Sequence, residues 1–297
     1  MYRGVFLKKI ICVGILITSV FIPVAVSEGQ VMPVCSIIEE KTESVKKENI
    51  EINRELEEYV IGVVAGEMPV NFPHEALKAQ AVAARTYAIR QIKANPNIKY
   101  EDIAQAYIGV DIMQKRWGSN FDENYNKIKT DVYATAGQIL EYDNEPILAA
   151  FCSTTNGYTE DCQNVWTQTL PYLTSVRSEG DELSPYYSDL VVLSKTRFAE
   201  IFGGTDVVIK EKTDAGYVKS VTVKGKNYTG NDIRKILGLK STSFDINING
   251  DNVTITTKGY GHGVGMSQYG ACYMANNGKS YSDILYHYYQ GAIIKNL

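Results

Sequence analysis

Histidine is scarce in this chain. Only His74, His262 and His287 occur among 297 residues, and none stands in a zinc-ligand motif, which argues against an amidase centre built from histidine and carboxylate ligands on zinc. Positive charge is not in excess either: 30 Lys and Arg against 34 Asp and Glu leave a net charge of −4 and a pI near 5.6. A surface that tracks nucleic-acid phosphates needs a basic excess, so no nucleic-acid partner is expected. The five cysteines do not make an even disulfide framework, because Cys12 and Cys35 fall in or just after the first apolar run and leave Cys152, Cys162 and Cys272 for the body. No internal repeat is present. The glycine-rich stretch near the C-terminus lacks the lysine and hydroxyl pair of a phosphate loop and the spacing of a dinucleotide fingerprint.

What is present begins with Arg3, Lys8 and Lys9, followed by 17 apolar residues, "IICVGILITSVFIPVAV", from Ile10 to Val26. About 20 apolar residues make a comfortable membrane span, so residues 1–27 read as a signal anchor or a signal peptide, with Ala25 and Ser27 permitting cleavage. Positive residues ahead of the run place the remainder outside the cytoplasm, either held at the cell membrane by a single pass or secreted. Residues 28–54 alternate acidic and basic side chains and read as a solvated stalk. The folded body is expected over 55–297. It is rich in tyrosine, with 21 in the chain against 8 phenylalanines, and tyrosine suits both a carbohydrate-lined groove and ordinary rim packing.

Within the body, "ELEEYVIGVVAGEMP" predicts a short helix closed by Gly66 and Pro69. "NFPHEALKAQAVAARTYAIRQIKAN" predicts a second helix with Pro73 in its first turn and alanine through its interior. A further helix is expected over "YNKIKTDVYATAGQ", then two strands about a turn at Asp143 and Asn144. Two more hairpins turn near Gly216 and Gly250, with a helix between them capped by Asn231. Helices around Gln268–Ala275 and Ser282–Tyr289 close the chain. Helices and antiparallel hairpins mix without βαβ regularity, so the fold class is α+β.

Four places can carry chemistry. In "VVAGEMP", Glu67 follows small and apolar residues, and a desolvated carboxyl has the raised pKa that a general acid requires; the structural alternative is a helix-end ion pair. Lys78 and Arg85 share a face of the second helix, where Arg85 either reaches an anion or orients Glu67, or makes a structural ion pair. In "KGYGHGVGMSQYGA", glycines 259, 261, 263 and 265 remove alternate side chains, so the backbone can approach a ligand or another backbone. His262 there can hydrogen-bond a sugar or be structurally satisfied, and Ser267 is placed to cap the next helix with Gln268 in its first turn. Cys152 and Cys162 lie ten residues apart, open to a disulfide in an exported chain, to free thiols, or to a metal pair if a third ligand comes from elsewhere.

Taken together, "VVAGEMP", "EALKAQAVAARTYA", "CSTTNGYTEDCQNVW" with "PYLTSV", "IRKILGLKST", "GYGHGVGMSQYGA" and "ILYHYYQG" resemble, in order, the motifs of the stage II sporulation protein D family, SpoIID, and its amidase-enhancer relatives. The resemblance spans about residues 55–291. It implies a membrane-anchored lytic transglycosylase that cuts the MurNAc–GlcNAc bond of peptide-stripped glycan strands during engulfment, leaving 1,6-anhydro-MurNAc ends. It also implies companions: a SpoIIP-like amidase and endopeptidase, and a SpoIIM-like membrane protein. The catalytic residue then falls on Glu67, with Arg85, Tyr260, His262, Ser267 and Gln268 holding the strand or balancing charge. No cofactor is required, although a structural zinc at Cys152 and Cys162 is implied by some relatives, many of which carry histidine at the Cys152 position. The competing reading is a glycan-binding activator of a cell-wall amidase that cuts nothing.

Overall fold

Two helices separated by a six-residue bend form the centre of the fold. In the computed structural model, which describes residues 54–297 with Thr167 excepted, α1 covers 54–67 and α2 covers His74–Ala94. Alanine at positions 76, 79, 81, 83, 84 and 88 is fully buried, so α2 packs closely on several sides at once and touches the helices and strand that follow. Alanine suits this position because it gives up no rotamer entropy and lets neighbouring backbones approach. Pro73, with an extended ψ of 150°, sits at the N-cap of α2.

The chain continues through α3 (Val110–Trp117) and α4 (Phe121–Ala134). Strands β1 (Gln138–Tyr142) and β2 (Glu145–Pro146) then pair about Asp143 and Asn144, both with positive φ. That geometry is the two-residue turn expected of an Asp-Asn pair. β3 (Phe151–Cys152) and the single-turn α5 (Cys162–Val165) lead into a second region. There β4 (Ser188–Ser194), α6 (Lys195–Phe202), β5 (Val207–Lys212), β6 (Val218–Val223), β7 (Lys226–Thr229), α7 (Gly230–Leu237), β8 (Phe244–Asn249) and β9 (Asn252–Lys258) follow in order. The chain returns through β10 (Met266–Ser267), α8 (Gln268–Asn276), α9 (Tyr281–Tyr288) and β11 (Ile293–Asn296).

The sheets are small: β11-β1-β2, β4-β9-β8 and β5-β6-β7 are antiparallel, and β10 lies parallel to β3. The α+β expectation holds. One apolar core surrounds α2, and a second joins Phe198, Val221, Ile233, Phe244 and Ile255 between the hairpins and α6 and α7. The turns at Gly216 and Gly250 form as expected, but Thr229 rather than Asn231 caps α7. The Thr229 hydroxyl accepts from the Asp232 N–H while Asp232 accepts from the Thr229 N–H, so a reciprocal pair holds the helix start two residues earlier.

Among the described residues no helix is long and apolar enough to cross a membrane. The apolar run 10–26, and the stalk up to residue 53, lie outside the described residues.

Candidate active site

Glu67 is the last residue of α1 and opens onto a cleft of about 1040 Å³. Its Oε1 accepts the Ala106 N–H at 2.8 Å, and the Gln268 side chain donates a second hydrogen bond. Both bonds favour the carboxylate, yet loss of water outweighs them and holds the Glu67 pKa above the ordinary glutamate range. No other Asp or Glu is among the lining residues of this cleft. The acid therefore stands alone.

Gln268 begins α8, and its Nε2 lies 3.4 Å from the buried Gln80 Oε1, so the carboxamide is fixed between α2 and Glu67. Gln105 lines the cleft on the other side. Its Oε1 accepts from the Tyr59 hydroxyl at 3.1 Å, while its Nε2 is buried without an acceptor in the protein. Such a donor is costly to leave bare. Trp166, Tyr186, Tyr260 and Tyr269 give the cleft aromatic walls, and Arg116 is the one cationic side chain among its lining residues.

His262 stands in the wall beside Trp166, with ring centroids 5.2 Å apart. Its Nδ1 accepts the Val264 N–H at 3.0 Å, which places the proton of the neutral ring on Nε2. Burial, aided by the positive charge of Arg234, pushes its pKa down to about 4. At neutral pH this imidazole is uncharged, with its Nδ1 already held by the Val264 N–H.

The four alternating glycines around it all have positive φ. A Cβ on Gly265 would come within 2.0 Å of the Ala150 carbonyl oxygen, and one on Gly261 within 2.7 Å of Cys152 Cβ. The missing side chains thus face the protein, where they let 259–267 lie directly on 150–155. The backbone bonds Tyr260 N–H to Thr154 O at 2.7 Å and Met266 N–H to Ala150 O at 3.1 Å hold the two segments together. Of the two approaches the sequence leaves open, to a ligand or to another backbone, the glycines serve the second.

The family model described as SpoIID, Stage II sporulation protein, matches residues 45–142. A Stage II sporulation protein D of Bacillus amyloliquefaciens is 48% identical over 256 residues, covering 82% of this chain and 74% of the relative. That of Bacillus subtilis is 44% identical over the same length, covering 82% and 75%. The chain belongs to the stage II sporulation protein D family. The Amidase enhancer of Bacillus subtilis is also similar, 30% identical over 293 residues, covering 78% of this chain and 40% of the relative.

Of the residues that resemblance to the sporulation family singles out, Glu67, Tyr260, His262 and Gln268 meet at the cleft. Arg85 and Ser267 do not. Arg85 has no exposed surface; its Nε donates to Glu57 Oε1 at 2.9 Å and its Nη atoms to Gln138 O at 3.0 Å and Val132 O at 3.1 Å. With each of its three nitrogens bonded to α1, α4 or β1 and no surface exposed, it cannot reach a strand in the cleft, and the ion pair with Glu57 is what the structure shows. Ser267 is equally buried. It accepts the Gly270 N–H as the α8 cap, as the sequence leads one to expect, and donates to Asp181. Its part is to aim Gln268 rather than to touch a ligand.

Nor do Cys152 and Cys162 fit a zinc site. Both are free thiols, as is Cys272, and among the described residues no three His, Cys, Asp or Glu side chains converge as metal ligands. The Cys162 sulfur accepts the Leu170 N–H at 3.2 Å and donates to Gln168 O at 3.3 Å, while burial pushes the Cys152 thiol up to about 12.

Sequence reasoning missed Trp166, Arg116, Gln105 and Asp181. Trp166 closes the quoted segment "CSTTNGYTEDCQNVW" and could have been found as one of two tryptophans in the chain. Asp181, fully buried and bonded to Thr155 and Ser267, carries no local signal of its role.

Proposed function

We propose that this sporulation-family chain is a lytic transglycosylase of peptidoglycan, cutting the MurNAc–GlcNAc bond of peptide-stripped strands during septal degradation and engulfment. The observation that carries the reading is the single carboxyl, Glu67, desolvated in a large cleft whose lining residues include no second carboxylate. A hydrolase of ordinary type needs two such groups, one for the leaving group and one for water or the sugar. One suffices when the nucleophile belongs to the substrate.

In this reaction the protonated Glu67 gives its proton to the glycosidic oxygen as the C1–O bond breaks. The C6 hydroxyl of MurNAc then closes on C1 and returns its proton to the same carboxylate, so no water is consumed and the new end is 1,6-anhydro-MurNAc. The Ala106 N–H and Gln268 steady the carboxylate between the two transfers. Trp166 and Tyr260 offer faces to the sugar rings, and His262 lines the wall beside Trp166. Arg116, the cation among the lining residues, would pair with the lactyl carboxylate that a stripped MurNAc exposes.

Attachment to the cell membrane through residues 1–27, and assembly with a SpoIIP-like amidase and a SpoIIM-like membrane protein, belong to the same proposal. A second reading, a non-catalytic glycan-binding activator of an amidase, is favoured by the similarity to the Amidase enhancer. The test is to incubate the protein and its Glu67→Gln variant with peptide-free glycan strands and identify new ends by mass spectrometry. Anhydro ends from the parent alone support the lytic reaction. Strands bound intact by both proteins support the activator, and reducing ends would mean hydrolysis.

A further inference from the structure

A second cavity, of about 370 Å³, lies between α1, the segment 100–110 and α4. Four tyrosines line it: Tyr59, Tyr100, Tyr107 and Tyr125. Tyr59 is sandwiched, with Tyr100 stacked on it at 4.7 Å and Tyr107 at 5.7 Å between centroids. Glu55, Glu58 and Glu101 complete the rim, and no Lys or Arg is among the described lining residues. Lys129, which is not a lining residue, holds its Nζ 5.8 Å from the Tyr125 ring centroid; the other aromatic faces, bounded by carboxylates, suit an ammonium or guanidinium carried on an apolar stem.

This cavity shares a wall with the cleft. Three successive residues of that wall bind α1: Ala106 N–H donates to Glu67, the Tyr107 ring lies over Gly62, and Ile108 N–H donates to Gly62 O at 3.1 Å. A Cβ on Gly62 would sit 2.2 Å from the Tyr107 ring, and one on Gly66 would sit 2.7 Å from Ala106 O. The wall is therefore seated directly on the helix that ends in Glu67. Tyr107 remains 53% exposed, so a visitor to the cavity would touch it first. From Tyr59 the hydroxyl reaches Gln105, which lines the cleft.

We infer that this cavity is a docking site for a lysine or arginine side chain of a partner protein, and that its occupancy is felt at Glu67 through Tyr107 and Ala106. A basic side chain inserted beside Tyr107 and Glu58 presses on the one segment whose backbone N–H holds the Glu67 carboxyl. Charge complementarity selects the occupant: the rim is acidic, and Glu58, which accepts only from the neutral Tyr125 and Tyr133 hydroxyls, gains no opposite charge from an uncharged stem of equal length. The inference does not depend on which reaction, if any, Glu67 performs.

The test uses the full chain labelled with 15N-alanine and the probe acetyl-Ala-Lys-Ala-amide, with its norleucine counterpart as the uncharged control. The lysine peptide is expected to bind and to shift the Ala106 amide signal. Norleucine is expected to bind about tenfold more weakly or not at all, matching the loss of a cation–π contact and an ion pair. Glu58→Gln should weaken lysine binding, and so should Glu55→Gln, a change at an exposed position that leaves folding intact. The pH midpoint of Glu67, followed through the Ala106 amide, should move when the peptide is bound. Equal binding of the two peptides, or lysine binding indifferent to both variants, overturns the site. Binding that leaves the Glu67 midpoint where it was overturns the connection to the cleft.

Discussion

Acidification should find His262 before it finds most of the fold. The ordinary histidine pKa near 6.5 falls to about 4 in the folded chain, because burial and Arg234 disfavour the charged ring. The sign follows from proton counting. Between those two values the unfolded chain binds a proton at this position and the folded chain does not, so stability is complete above about pH 6.5 and drains away as pH falls toward 4. At about 1.4 kcal/mol for each pH unit, the interval corresponds to about 3 kcal/mol. Other groups work in the opposite sense, since burial raises Glu67, Asp131, Glu160 and Asp181. The quantity to measure is therefore a difference: urea unfolding free energies of the protein and of His262→Asn across this window. Asparagine keeps an acceptor near Nδ1 for the Val264 N–H but does not titrate. The parent should lose about 3 kcal/mol more than the variant by pH 4, and Arg234→Gln should recover part of that loss. Parallel curves for the parent and His262→Asn would refute a buried neutral imidazole.

The buried pair predicts that Arg85→Ala destabilises the protein by about 3 to 5 kcal/mol, because Glu57 is left charged and unpaired out of water; calorimetry should show a large fall in Tm, while glycan affinity per folded molecule stays unchanged. Gly265→Ala, which must accept φ near +75° and meet the Ala150 carbonyl, should cost about 1 to 3 kcal/mol and disturb β10 against β3, visible as lost amide protection at Met266. For Glu67 the raised pKa means that the acid stays protonated to higher pH than a solvated glutamate, so strand cleavage should fall as pH rises through the shifted value. A rate that climbs over that range would exclude Glu67 as the acid. Trp166→Ala should weaken strand binding by about 1 kcal/mol, read by titration with peptide-free oligosaccharides.

Some of this was written locally in the chain. The run of alanines from Ala76 to Ala88 announces a helix packed on many sides, and Asp143-Asn144, Gly216 and Gly250 announce their turns through the φ they must adopt. Glu67 was legible as a desolvated acid because the residues beside it are small or apolar. Arg85 misled because a lone arginine on an alanine-rich helix looks available, while the acid that neutralises it, Glu57, comes 28 residues earlier in the chain. The glycine alternation of 259–265 left its purpose open: whether an absent side chain faces a ligand or another backbone depends on β3, more than a hundred residues away in sequence. Long-range partners of this kind, like Asp181 beneath Ser267, leave no mark on their neighbours.

The position of Glu67 at the end of α1 has a further consequence for its proton. Peptide dipoles aligned along a helix leave their carbonyl end slightly negative, and a carboxylate placed there is disfavoured by about 0.3 to 1 kcal/mol. The helix itself thus leans toward the neutral acid. In the proposed reaction the anion left by the first proton transfer would sit against that field, and the easiest relief would be to take a proton back. A single residue at a helix terminus would in this way be reset by the scaffold that carries it.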